Sequence, residues 1–194
     1  SYNLFFFSLK FIVLGGSLKR FHGGDDGYTY IMHGVRLAKE DDLVELMGSV
    51  DELNSLIGVA RSFRPPGDVD PILRRIQETL FRFGSDVATP IDRLSSPRLG
   101  DQDLVWVEEA ARELWERLPE PRLVFVYPGG DPVASLLHLS RTVCRRAERV
   151  ASRLYHGGRI PKSHLVFLNR LSDLLFILAR YVNHARGVKE ELWP

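Results

Sequence analysis

Residues 125–149 read FVYPGGDPVASLLHLSRTVCRRAER, and they restrict the fold of this chain more than any other stretch. Asp131 followed by Pro132 is helix-start chemistry: the carboxylate caps free N–H groups, and a proline in the first turn gives up a donor that had no partner there. The next residues suited to end a helix are Gly157 and Gly158. The spacing therefore predicts one long helix, from Asp131 to about Tyr155. At about 100° per residue, Val133, Leu136, Leu137, Ala147, Ala151 and Leu154 share one face. Arg141, Arg145 and Arg149 climb the opposite side at i, i+4, i+8.

Stacked arginines repel one another unless something anionic lies among them, and Glu148 alone does not neutralise the stripe. A solvated face is the plain alternative. The Pro-Gly-Gly entry lets backbone approach a ligand closely, and the planar arginine fork suits phosphate or carboxylate. Those two features favour an anion site.

The net charge is only +1, which excludes the global basic field of a non-specific nucleic-acid binder, so such a site must be local. With 194 residues, 44% hydrophobic and 26% charged, the chain can bury one core. The single cysteine, Cys144, excludes an internal disulfide framework and a Cys-rich metal site. It reads as a packing residue in a reducing, cytoplasmic setting. Residues 1–20 form a hydrophobic N-terminal extension, too short and interrupted to span a membrane and lacking the basic start of a signal peptide. A single domain is expected over 21–190.

Gly23, Gly24 and Gly27, with Asp25 and Asp26, mark a loop whose backbone N–H groups can face an anion. Thr29 adds a hydroxyl and Lys39 a point charge. From about Asp42, Val44, Met47, Val50, Leu53 and Ile57 give a helical apolar face. Gly48, Asp51, Ser55 and Gly58 form a second stripe, where a buried Asp51 needs a cation. An arginine of the long helix is the candidate, with Asn54 one turn on to orient the aspartate. Asp70-Pro71 reads as the cap of a second helix, Asp101 to Leu118 as a third, and Ser163 as the cap of the last. In that last helix Leu168, Leu171, Leu175, Leu178 and Val182 make a seam, while Asn169, Asp173 and Arg180 align elsewhere. Five helices with few strand signals argue an all-α bundle.

Taken together, GGDDGYT, Lys39, VDELNS, FVYPGG, RTVCRRAER and FLNRLSDLLF resemble the PduO-type ATP:cob(I)alamin adenosyltransferases, over about Phe21 to Arg186. The resemblance implies a five-helix, ferritin-like bundle that assembles as a homotrimer with active sites between subunits. It implies transfer of the 5′-deoxyadenosyl group of ATP to the cobalt of reduced cobalamin, with Mg²⁺ accompanying ATP. It also implies partners of the class of a reductase or a B12-dependent acceptor enzyme. His22, Gly23, Gly24, Asp25, Gly27, Thr29, Lys39, Arg145, Arg146, Glu148, Arg149 and Asn169 inherit ATP binding. Asp51 paired with Arg141, and Phe125 beneath the corrin, inherit cobalamin binding and, with Arg145, the catalytic roles. Phe21 and Gly23 stand where the family usually has threonines, and Leu43 where an arginine is common. These departures make a non-catalytic nucleotide- or cobalamin-binding bundle the competing expectation.

Overall fold

A computed structural model describes residues 24–119 and 124–193. Five α-helices form among them: α1 (Asp42–Ser62), α2 (Asp70–Val87), α3 (Asp101–Glu116), α4 (Pro132–His156) and α5 (Lys162–Ala185). The Asp131 carboxylate accepts from the Val133 N–H at 2.8 Å, so α4 begins where its cap dictates. Asp41 caps α1 in the same way, through Leu43 N at 2.8 Å. Two expected caps differ. Asp70 lies inside α2, behind a Val69 cap with no side-chain bond, and its carboxylate accepts instead from Arg61 Nε at 2.8 Å. Ser163 lies inside α5, which starts after Pro161. A proline that leaves its φ preset near helical values opens that helix without a side-chain acceptor.

The expectation of an all-α bundle holds, with one addition. Strands β1 (Tyr28–Tyr30) and β2 (Arg36–Ala38) pair antiparallel, Tyr28 opposite Ala38. Aromatic and β-branched residues favour this pairing, and His33 and Gly34, with φ of 61° and 73°, make the turn between the strands. Met32 N donates to Ala88 O at 2.9 Å, tying the hairpin to the end of α2. Residues 1–23, including the extension, lie outside the described residues.

Helices α1 and α4 run antiparallel, since Asp42 pairs with Arg153 at 2.8 Å while Glu52, ten residues on, pairs with Arg146. Helix α4 packs on its other flank against α5, and α5 against α3; α2 lies on α1. Gly58 permits that last approach, because a Cβ there would lie 3.3 Å from Gln77 Nε2. Leu46, Leu53, Ile57, Leu73, Ile76, Leu80, Leu137, Leu168, Leu171 and Leu175 are fully buried, each worth about 1.5–3 kcal/mol of burial. Cys144 is buried with its thiol donating to Leu168 O at 3.2 Å, and burial raises its pKa. It is a packing residue, as its position in the helix implies.

Asp86 and His164 form a polar pair built into this core. Asp86 of α2 accepts from Arg98 N and Leu99 N, both at 2.9 Å, and lies 3.2 Å from His164 Nε2; both side chains are fully buried. Burial alone raises a carboxyl pKa, but these hydrogen bonds outweigh it and hold Asp86 below its ordinary value. Its stabilising effect is therefore complete above the unfolded pKa and is lost as pH falls through the lower folded value. Asp86→Ala strands two backbone donors and the imidazole, so a loss of about 3–5 kcal/mol is expected in urea unfolding at neutral pH. The loss should shrink in acid.

Candidate active site

Helix α4 carries more arginines than the core-facing helices need, and the tertiary structure sorts them. Arg146 pairs with Glu52, Arg153 with Asp42, and Arg159, just beyond the helix, with Asp41. Arg141, Arg145 and Arg149 find no such acid among the described residues. Arg145 pairs among the described residues with Glu148 alone, at 3.9 Å. Arg149 is exposed and makes no ion pair or hydrogen bond among the described residues. Arg141 lies with its guanidinium 6.0 Å from the Phe176 ring, and its buried Nε has no acceptor. The i, i+4, i+8 stripe is thus the part of α4 left unneutralised, which is the electrostatic condition for holding a polyanion.

Neighbouring groups register this field. His138, one turn before Arg141 and 3% exposed, is pushed down to about 4 by burial and by the charges of Arg141 and Arg180, so its imidazole is neutral at pH 7. Asp173 of α5 was not a sequence candidate. Burial raises its carboxyl pKa, against the opposing pull of Arg145 and Arg141, which places an acid next to the stripe without pairing to it. Asp173 and Phe176 also line a groove of about 600 Å³ between α3 and α5. Side-chain alignment on α5 was visible in the sequence; proximity to α4 was not.

The glycine loop is assembled at the other end of α4. Gly24 and Gly27 have φ of 108° and 80°, with Gly27 N donating to Gly24 O at 3.1 Å. A Cβ on Gly24 would meet Lys39 Nζ at 3.2 Å, so the lysine lies directly over the loop. Lys39 N donates to Gly27 O at 2.9 Å, and Thr29 pairs with Leu37 in the hairpin. Asp25 is exposed, and Asp26 turns instead to Arg36 at 2.6 Å. Gly24, Asp25, Gly27, Thr29 and Lys39 therefore form one local group; His22 and Gly23 lie outside the described residues. Leu43, the departure at the start of α1, is 7% exposed and joins the core.

Phe125 sits before α4 at its N-terminal end and is 81% exposed. An ordinary core role is excluded for it within this chain. Val126 makes an isolated antiparallel bridge with Leu192 rather than a strand, Tyr127 N donates to Glu191 O and Trp193 N to Phe125 O, each at 2.8 Å. Tyr127 and Trp193 meet edge to face at 5.9 Å. The C-terminal tail thus holds the backbone of Phe125 while its ring faces outward. No periodicity marks this pairing in the sequence, because it joins segments far apart in the chain.

The expected Asp51–Arg141 pair does not form within the chain. Asp51 has no ion-pair or hydrogen-bond partner among the described residues, and burial raises its carboxyl pKa. Asn54 does not orient it: the Asn54 carbonyl accepts from Gln77 Nε2 at 3.1 Å, and its buried Oδ1 is unpaired. Arg146, assigned to ATP, is occupied by Glu52. Asn169 is exposed on α5, with its amide free among the described residues. No group of three His, Cys, Asp or Glu side chains among the described residues has metal-ligand geometry, so these residues provide no dedicated cage for Mg²⁺. No helix among them is long and apolar enough to cross a membrane.

Distances along α4 separate these parts. Its 25 residues span about 37 Å at 1.5 Å each. Phe125 precedes one end, and the glycine loop lies at the other, where Asp41 and Asp42 meet Arg159 and Arg153. That is longer than a nucleoside triphosphate.

Fold and site together define a helical-bundle protein with a free cationic ladder, a lysine-covered glycine loop and an outward aromatic residue. Residues 20–182 match the family model described as cobalamin adenosyltransferase. A cobalamin adenosyltransferase of Cupriavidus metallidurans is 39% identical over 173 residues, 88% of this chain and 90% of that protein. The human corrinoid adenosyltransferase is 35% identical over 177 residues, 88% of this chain and 70% of that protein. Among solved structures, a variant PduO-type ATP:corrinoid adenosyltransferase of Lactobacillus reuteri, complexed with cobalamin and ATP, superposes with a TM-score of 0.82 at 37% identity, covering 88% of this chain and 94% of that one. A second variant of that enzyme, complexed with ATP, gives 0.81 at 37% identity over 89% and 98%. This chain belongs to the cobalamin adenosyltransferase family.

Proposed function

We propose that this protein transfers the 5′-deoxyadenosyl group of ATP to the cobalt of cob(I)alamin, at sites shared between copies of the chain in a homotrimer. The observation that carries this reading is the free arginine stripe on α4. Arg146, Arg153 and Arg159 are neutralised by acids at the start and middle of α1, and Arg141, Arg145 and Arg149 are kept available. The separation of the glycine loop from Phe125 along α4 supports a shared site, since one copy can supply the phosphate-holding loop and another the corrin-facing end. Asp51 and Arg141, neither of which has an ion-pair partner among the described residues, suit a pairing across the same boundary.

The cobalt of cob(I)alamin attacks C5′ of ATP with its own electron pair, which becomes the Co–C bond, while the C5′–O bond breaks and triphosphate departs with the C–O bonding pair. The corrinoid is the nucleophile, and the protein needs none of its own. Its residues align the two substrates, an effect of roughly 7–11 kcal/mol in well-oriented reactions, and stabilise charge on the departing triphosphate. Lys39, Arg145 and Arg149 serve the second task. Mg²⁺ arrives on the phosphates, and no carboxylate cage is assigned to it. Phe125 occupies the lower face of the corrin, where excluding the axial base leaves a four-coordinate cob(II)alamin that is easier to reduce. A reductase supplies that electron, and a B12-dependent enzyme accepts the product.

Incubation with ATP, Mg²⁺ and chemically reduced cobalamin should give the absorbance change of Co–C bond formation, with triphosphate released in equal amount. ATP binding without that change would favour the non-catalytic reading that Phe21 and Gly23 raise.

A further inference from the structure

Asn183, near the C-terminal end of α5, is 2% exposed and spends its whole amide on the Pro-Gly-Gly turn. Its Oδ1 accepts from Asp131 N at 2.9 Å, and its Nδ2 donates to Gly129 O at 3.0 Å. Those two partners fix which end of the amide is which. Gly130, with φ of 101°, packs against it so closely that a Cβ there would lie 2.3 Å from Oδ1. The turn is therefore locked to α5, and not only to the helix that it opens.

The backbone of the same residue has a second task. Val188 N donates to the Asn183 carbonyl at 2.8 Å and Gly187 N to His184 O at 3.0 Å, with Gly187 at φ 68°. This left-handed closure ends α5 and sends the chain back. Arg180 and Glu190, largely buried and 3.0 Å apart, secure the return. The tail then reaches Phe125 through the bonds at Tyr127 and Trp193. Asn183 thus stands where both supports of Phe125 originate: its side chain sets the turn after the phenylalanine, and its carbonyl starts the tail that runs beside it.

We infer that Asn183 is a positioning residue that sets where and how Phe125 is presented to the corrin. The inference rests on the reading of Phe125 as the residue beneath the corrin. It acts without touching either substrate, through two hydrogen bonds that a simple packing residue would not need.

Asn183→Asp keeps the shape and the acceptor for Asp131 N but, ionised, has no N–H for Gly129 O. The KM for reduced corrinoid should rise about tenfold or more, since small misplacements of aligned groups are costly, while the KM for ATP changes less than about twofold. The share of bound cob(II)alamin showing the four-coordinate absorption spectrum should fall. Gly130→Ala attacks the same contact from the turn and leaves α5 intact, so it should give the same split even if the first variant folds poorly. Equal changes in both KM values, or no change in either variant, would overturn the positioning role. Phe125→Ala separates the two ideas. If it alone weakens corrinoid use, the role of Asn183 fails and the reading of Phe125 stands; if it leaves corrinoid use unchanged, that reading fails and the inference falls with it.

Discussion

Arg145→Ala is expected to lower kcat by about 10²–10³-fold while the protein keeps its fold and its assembly. The size follows from what is lost: a preorganised charge aimed at a leaving group is worth roughly 2.7–4 kcal/mol in a site shielded from water. The retained stability follows from the structure. The Arg145 side chain is half exposed, and its ion pair among the described residues is a 3.9 Å contact with Glu148, so its removal breaks no close salt bridge and should change unfolding free energy by less than about 0.5 kcal/mol. Arg145→Lys keeps the charge but not the fork and should fall between the two. Steady-state rates measured beside a thermal melt check this; an unchanged kcat would remove Arg145 from the phosphates. Arg146→Ala is the useful contrast, because it frees Glu52 and should show in the packing of α1 on α4 as well as in rate.

Asp51→Ala is expected to weaken both assembly and turnover. Among the described residues of a single chain the Asp51 carboxyl has no cation, and burial raises its pKa. A raised carboxyl pKa means that the folded chain binds the proton more tightly than the unfolded one. The isolated chain therefore loses stability as pH rises from the unfolded value toward the folded one. Pairing with Arg141 of another copy reverses that sign, because the ionised form becomes the favoured one. Asp51→Asn should accordingly stabilise the lone chain above the unfolded pKa yet loosen the proposed trimer. Removing one member of a buried pair costs about 3–5 kcal/mol, enough to shift the trimer–monomer balance by orders of magnitude in a concentration series. An intact trimer with full activity would contradict the pairing.

The helices were legible because their causes are local. Asp131-Pro132 opens α4 and Gly157 closes it, and the seam of α5 is buried as its spacing implies. The caps were misread where two local solutions compete: Asp70 could bond its own backbone or a neighbouring guanidinium, and Arg61 of α1 won. The proposed anion site was half legible. The stripe of Arg141, Arg145 and Arg149 follows from a period of 3.6, but its freedom does not. Arg146 carries the same charge and differs only in facing Glu52. His138 and Asn183 had no sequence signature, and for Asp173 only its alignment on α5 was visible, since each acquires its surroundings from another element.

Capping, periodicity and glycine placement settled the number of helices, both ends of α4 and the faces the helices bury, all properties of residues a few positions apart. Which arginines are left without an acid among the described residues, which way Phe125 points and what holds it there depend on pairings across more than fifty residues. Those arise only once α1, α4, α5 and the tail have packed, because a Coulombic partner or a hydrogen bond is a matter of ångströms in space and not of spacing along the chain.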